Sequence, residues 1–190
     1  MKKIALAALA LTTAMATPAT AATGDVTGTI NITGSVAPKC FVLPGAGSTF
    51  GTTVNMGELA KTDGTLLDST TLSSTFASQG STALTAQVLC TSANPNVSVT
   101  AEPLANVAPA VTGYDNTVDY TADVTFTQVD GTTVVSDPSD NPVATTATLS
   151  SRLNGSGTNV SVATSAWTAS GVLVSGDYTG KITVLISPGA

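Results

Sequence analysis

From Asp25 to Val36 the even positions are Val26, Gly28, Ile30, Ile32, Gly34 and Val36, and the odd positions are Asp25, Thr27, Thr29, Asn31, Thr33 and Ser35. Small or apolar residues alternate with polar ones without a slip, which is the period of a strand that buries one face. No Asn-Gly or Asp-Gly pair folds this leader back into a hairpin with the residues C-terminal to it. It reads as a strand open to a distant partner, in this chain or another, or as the first strand of a sandwich.

The same period returns further on. From Ser81 to Cys90, Leu84, Ala86, Val88 and Cys90 face one way, and Thr85 and Gln87 the other. Val97 and Val99 alternate with Ser98 and Thr100 between Asn96 and Glu102. The clearest run is Val118 to Phe126, where Val118, Tyr120, Ala122, Val124 and Phe126 oppose Asp119, Thr121, Asp123 and Thr125. Asp130-Gly131 signals a hairpin, with a return strand over 132–135. Short strands are expected at 146–153 and 160–163. A terminal strand runs from Tyr178 to Ile186, with Ile182, Val184 and Ile186 inward.

Between these runs, Pro44 to Ser48 breaks the chain, and residues 50–57, with Gly51 and Gly57, read as an edge or bulged strand. Residues 60–80 read as a surface loop with a brief strand around Leu72. Pro103, Pro109 and Gly113 mark one loop, and Pro138 to Pro142 another. Seven or eight strands at this spacing, without a helical period, predict an all-β chain, an immunoglobulin-like β-sandwich.

The N-terminus changes where that chain is expected to work. Lys2-Lys3, an apolar run from Ile4 to Met15, and Pro18-Ala19-Thr20-Ala21 have the layout of a secretory signal peptide over residues 1–21, cleaved after Ala21 or Ala22. The run is too short for a membrane-spanning helix, and no later segment is long enough, so no membrane span is expected in the mature chain. Cleavage after Ala21 leaves 169 of 190 residues, and losing Lys2 and Lys3 takes the net charge from −6 to −8. The remaining cations, Lys39, Lys61, Arg152 and Lys181, are scattered, so no nucleic acid or anionic lipid is expected as a partner. Only 9% of residues are charged, and Thr, Ser, Ala, Val and Gly dominate, a composition that favours strands and turns.

The two cysteines, Cys40 and Cys90, form an even pair in a chain expected to be exported. The simplest reading is one disulfide, closing a loop that stabilises the fold by roughly 4 kcal/mol on a chain-entropy argument. A metal site lacks ligands, because the chain has no histidine and no CxxC. No cofactor is expected. Without histidine most hydrolase arrangements fall away. Asp119 and Asp123 share a strand face, and Glu58, Asp63 and Asp68 lie near a loop, but solvent-facing acids account for them better than a glycosidase pair. Asp130, Asp137 and Asp140 match no EF-hand spacing. Trp167 and Tyr178 read as core or sheet-edge aromatics, and no enzyme is expected.

Five places, in order, resemble the archaic chaperone–usher pilins, the family of the spore coat protein U domain. They are the leader 25–36; Cys40; Phe50-Gly51-Thr52 with Met56-Gly57; Val88-Leu89-Cys90; and Gly176-Asp177-Tyr178 leading into Ile182-Thr183-Val184-Leu185-Ile186. Where relatives often carry an acid after the tyrosine, this chain has Thr179-Gly180-Lys181. The resemblance implies an incomplete sandwich over 38–190 that lacks its last strand. A periplasmic chaperone fills the gap first, and the leader of the next subunit (residues 22–37) replaces it at an outer-membrane usher, building a fimbria at the cell surface. Val26, Ile30, Ile32 and Val36 would fill the groove, with Gly28 or Gly34 as the donor-strand glycine. Tyr178, Ile182, Val184 and Ile186 would belong to the terminal strand. The alternative expectation is a monomeric secreted sandwich, an adhesin or a carbohydrate-binding module.

Overall fold

A computed structural model describes residues 24, 25, 27–43, 53–79 and 84–189. The expected signal peptide, Val26, and the Phe50-Gly51-Thr52 motif lie outside the described residues. By contacts the chain divides into residues 1–34 and residues 35–190. Among its described residues the second unit is an all-β domain with one short helix.

Its centre is β6 (Thr117–Thr127), the strand with the cleanest alternation. Val118, Tyr120, Ala122, Val124 and Phe126 are at most 4% exposed, and the residues between them are half-buried. On one side β6 pairs with β7 (Thr132–Pro138) through the Asp130-Gly131 turn, which the Gln128 N–H closes by donating to Gly131 O at 2.7 Å. On the other it pairs with β9 (Val160–Thr168), which carries the short β2 (Thr85–Ala86) on its far edge. The second centre is β4 (Asn96–Ala105), with Val97, Val99 and Ala101 inward. It is flanked by β11 (Thr179–Ser187) on one edge and β8 (Thr145–Thr148) on the other. Leu104 facing Val118 and Ala105 facing Thr117 join the two groups at a corner. β1 (Cys40–Val42) pairs antiparallel with β3 (Val88–Cys90), and β5 (Tyr114–Asp115) pairs parallel with β10 (Val172–Leu173). Phe126, Leu72, Leu149, Val97, Val99, Val118, Val124 and Val160 are the largest apolar side chains closed off from solvent.

Several expectations are corrected. Residues 60–80 contain a helix, α1 (Ser69–Ser78), which packs on β9 and buries Leu72 and Phe76. The four-residue spacing of these two places them on one helix face, and Asp68 precedes the helix in extended conformation as its N-cap residue. Residues 53–59 form no ladder among the described residues, and Gly57 has φ +67°, a left-handed conformation that ends an extended run. The strand expected over 81–90 divides at Gln87, because β2 pairs with β9 and β3 pairs with β1. Gln87 is buried instead of solvent-facing, and its amide donates to Gly155 O at 2.9 Å. Pro103 lies inside β4 at a register shift against β11, where a missing N–H does not interrupt the ladder. The strand expected at 146–153 pairs continuously only over β8, with a single further bridge from Leu153 to Gln128, and β9 runs on to Thr168 past a bulge where Ala166 adopts φ 52°.

Candidate interaction edge

The disulfide forms as expected: Cys40 and Cys90 face each other across β1 and β3, with Cα atoms 4.1 Å apart. It ties the first strand of the domain to the strand that feeds β4.

β11 is a long strand paired on one side among the described residues. It lies at the end of its sheet, with β4 its pairing neighbour among the described residues. Its inward set, Ile182, Val184 and Ile186, packs on the core but is only half-buried, in contrast to the inward set of β6, which has a neighbour on each side. On the outward face Leu185 is exposed. Gly180 sits at the bulge because a Cβ there would approach Glu102 O, Pro103 O and Leu104 Cδ2 to 2.9 Å. The neighbouring Lys181 pairs with Glu102 at 2.8 Å on the surface.

At the start of β11 a cleft of about 740 Å³ is lined by residues 53–60, Leu104 and residues 173–180, with Met56, Leu173 and Tyr178 among its apolar walls. Tyr178 is half-buried and donates its hydroxyl to Val174 O at 2.9 Å or Asp115 O at 3.1 Å. Burial pushes the Tyr178 hydroxyl up from its ordinary value, so it stays a neutral donor. A different strap holds the segment before it. The Asp115 carboxylate accepts from the Ser170 N–H and hydroxyl, both at 2.7 Å, and from the Thr117 N–H at 3.0 Å.

In the leader, Gly28, Ile30, Ile32, Gly34 and Val36 are described, without a strand assignment. Ile30 is 87%, Ile32 92% and Val36 77% exposed. Three large apolar side chains on one strand period are therefore offered to solvent.

The acids resolve into structure. Asp123 accepts from Ser136 Oγ on β7 at 2.5 Å and from Ser165 Oγ on β9 at 2.6 Å, and Asp119 accepts from Ser139 Oγ at 3.2 Å. Asp123 thus brackets β7 and β9, and Asp119 holds the residue just after β7. No three His, Cys, Asp or Glu side chains converge among the described residues. Trp167 is buried and stacks on Tyr120 with ring centroids 4.8 Å apart, so its ring is not a platform for a sugar. No described helix is long and apolar enough to cross a membrane. No family model, no curated protein and no solved structure matches the chain.

Sequence reasoning missed two neighbouring residues, Thr91 and Ser92. They sit in the turn after β3, where nothing but tertiary contact distinguishes them from the chain's many other hydroxyls.

Proposed function

We propose that the chain is the structural subunit of an exported fimbria and polymerises by donating its leader strand to another copy. The domain is then an immunoglobulin-like sandwich short of its last strand. The free edge of β11 is the acceptor, and residues 25–36 of a second copy are the donor. The resemblance to archaic chaperone–usher pilins adds the other partners: a periplasmic chaperone that covers the edge in transit, and an outer-membrane usher where one copy replaces it. One observation carries the reading: an apolar strand face only half covered at β11, in a chain whose leader exposes Ile30, Ile32 and Val36 at matching period. Burying these with Val26 gives roughly 6–12 kcal/mol of gross hydrophobic stabilisation before ordering costs. Backbone hydrogen bonds along the nine residues of β11 add to it.

Unboiled electrophoresis tests this. The parent is expected to give a ladder of multimers, and Ile30→Asp with Ile32→Asp to abolish it, because each charge would enter an apolar groove at a cost of about several kcal/mol. Added peptide 24–37 should occupy the variant's open edge and hold it as a compact monomer. A ladder that persists in the double variant would refute the reading. A parent that runs as a monomer would favour a free-standing adhesin or carbohydrate-binding module.

A further inference from the structure

The chain enters its domain through Ala37, Pro38 and Lys39, and one residue holds them. The Thr91 N–H donates to Lys39 O at 2.9 Å, and the Lys39 N–H donates to Thr91 Oγ1 at 2.9 Å. The single proton of that hydroxyl reaches Ala37 O at 3.2 Å or Lys39 O at 3.4 Å. These bonds continue the β1–β3 pairing one residue past the Cys40–Cys90 disulfide. Pro38 acts in the same sense, because its ring keeps Ala37 out of the helical region. The next residue, Ser92, donates its hydroxyl to Gly189 O at 3.0 Å, just beyond β11. Residues 91 and 92 therefore hold the entry to β1 and the exit from β11 at the same end of the domain.

That adjacency creates a competing reaction. The twelve residues 25–36 outnumber the nine of β11, so a turn at 37–39 would let the leader lie along the β11 edge of its own chain. Leader and β11 would then end at the same pole and run parallel. Such pairing is slightly weaker per residue than the antiparallel kind, but it is intramolecular, and it would use up donor and acceptor together.

We infer that Thr91 is a positioning residue that holds Ala37–Lys39 extended, keeping the leader off its own β11 and reserving it for a second copy. The inference rests on the donor-strand reading above. Its test compares the full-length exported parent with Thr91→Val, Thr91→Ser and Pro38→Gly on unboiled gels. The quantity read is the ratio of closed monomer to ladder. A closed monomer is a band that resists detergent without boiling and does not bind added peptide 24–37.

Thr91→Val should raise that ratio about three- to tenfold, the range one net hydrogen bond implies, and Pro38→Gly should raise it too by freeing the backbone of Ala37. Thr91→Ser, which keeps the hydroxyl, should stay within about twofold of the parent on the same argument. General destabilisation would lower monomer and ladder together, so a rise in closed monomer is specific to the clamp. Parent-like ratios in both Thr91→Val and Pro38→Gly, while the Ile30/Ile32 variant still loses its ladder, would overturn the clamp and leave the donor reading intact. A ladder that survives in the Ile30/Ile32 variant removes both. If Thr91→Val yields no folded protein, Pro38→Gly decides alone, because it leaves Thr91 and the disulfide in place.

Discussion

The Asp137 carboxylate is fully buried, yet each oxygen is used: Oδ2 accepts from the Ala101 N–H at 2.7 Å, and Oδ1 from the Thr145 N–H at 2.9 Å and hydroxyl at 2.6 Å. One side chain on β7 thereby joins β4 to the start of β8. Asp137→Ala should cost about 3–5 kcal/mol in urea unfolding, because it strands the buried Ala101 N–H. Asp137→Asn, which keeps one carbonyl acceptor, should cost about 1–3 kcal/mol. Asp115 carries a pH dependence. Burial raises its carboxyl pKa, but the bonds from Ser170 and Thr117 outweigh that and hold it below its ordinary value of 3.8. A carboxyl depressed on folding contributes stability that is present above the unfolded value and lost as the pH falls through the folded one. Ser170→Ala should move the Asp115 titration upward, as read by NMR of its carboxyl carbon. An unmoved titration would show that the hydroxyl bond does not govern it. The sequence placed Asp130, Asp137 and Asp140 together only by nearness along the chain. Tertiary pairing takes Asp137 into β7 and bonds Asp130 to the hydroxyls of Ser150 and Ser151.

Among the elements, β6 was legible because a strand buried on one face states its period directly, and the Asp130-Gly131 turn fixed the register of β7 with it. Helix α1 was obscured because its surface is Ser and Thr, residues of weak helix propensity, so only Leu72 and Phe76 carry the pattern. Packing on β9 overrides that propensity, and the Trp167 backbone N–H donating to Ser69 Oγ at 3.0 Å pins the first turn. Leu72→Ala should therefore cost about 2–5 kcal/mol, as for other fully buried leucines, with calorimetric melting as the check. A loss under about 1 kcal/mol would mean that the helix docks too loosely to leave a cavity. The break at Gln87 was hidden for a related reason: alternation reports which face a residue takes, not which strand it pairs with.

At the scale of the whole molecule, the buried core of the described residues is drawn from Leu59 onward, and Ile30, Ile32 and Val36 are exposed. This is why the Ile30/Ile32 variant is expected to lose its multimers without unfolding, leaving a single monomeric peak in size exclusion. An unfolded variant would mean that the leader belongs to its own sheet. On the donor-strand reading, assembly would depend on two surfaces: the edge of β11 and the apolar period of the leader. On the same reading, the Thr91 contacts would bear on which copy brings them together.

Alternation determined the strand class and the inward residues of β4 and β6, and the even cysteine count gave Cys40 and Cys90 as a pair. The first follows from local geometry, because a strand turns each residue to the opposite face from the last, and the second from there being only one possible partner for each thiol. Only the tertiary structure decided that β11 ends its sheet among the described strands, that Gln87 is buried where the chain changes partners, and that Thr91 grips Ala37 and Lys39. Each of these depends on what lies beside a residue across some fifty or more positions of sequence, as Thr91 Oγ1 lies beside Lys39 at a separation of 52. Hydrophobic period encodes which side of a strand faces the core; its neighbours in the sheet are set by how the strands close around one interior.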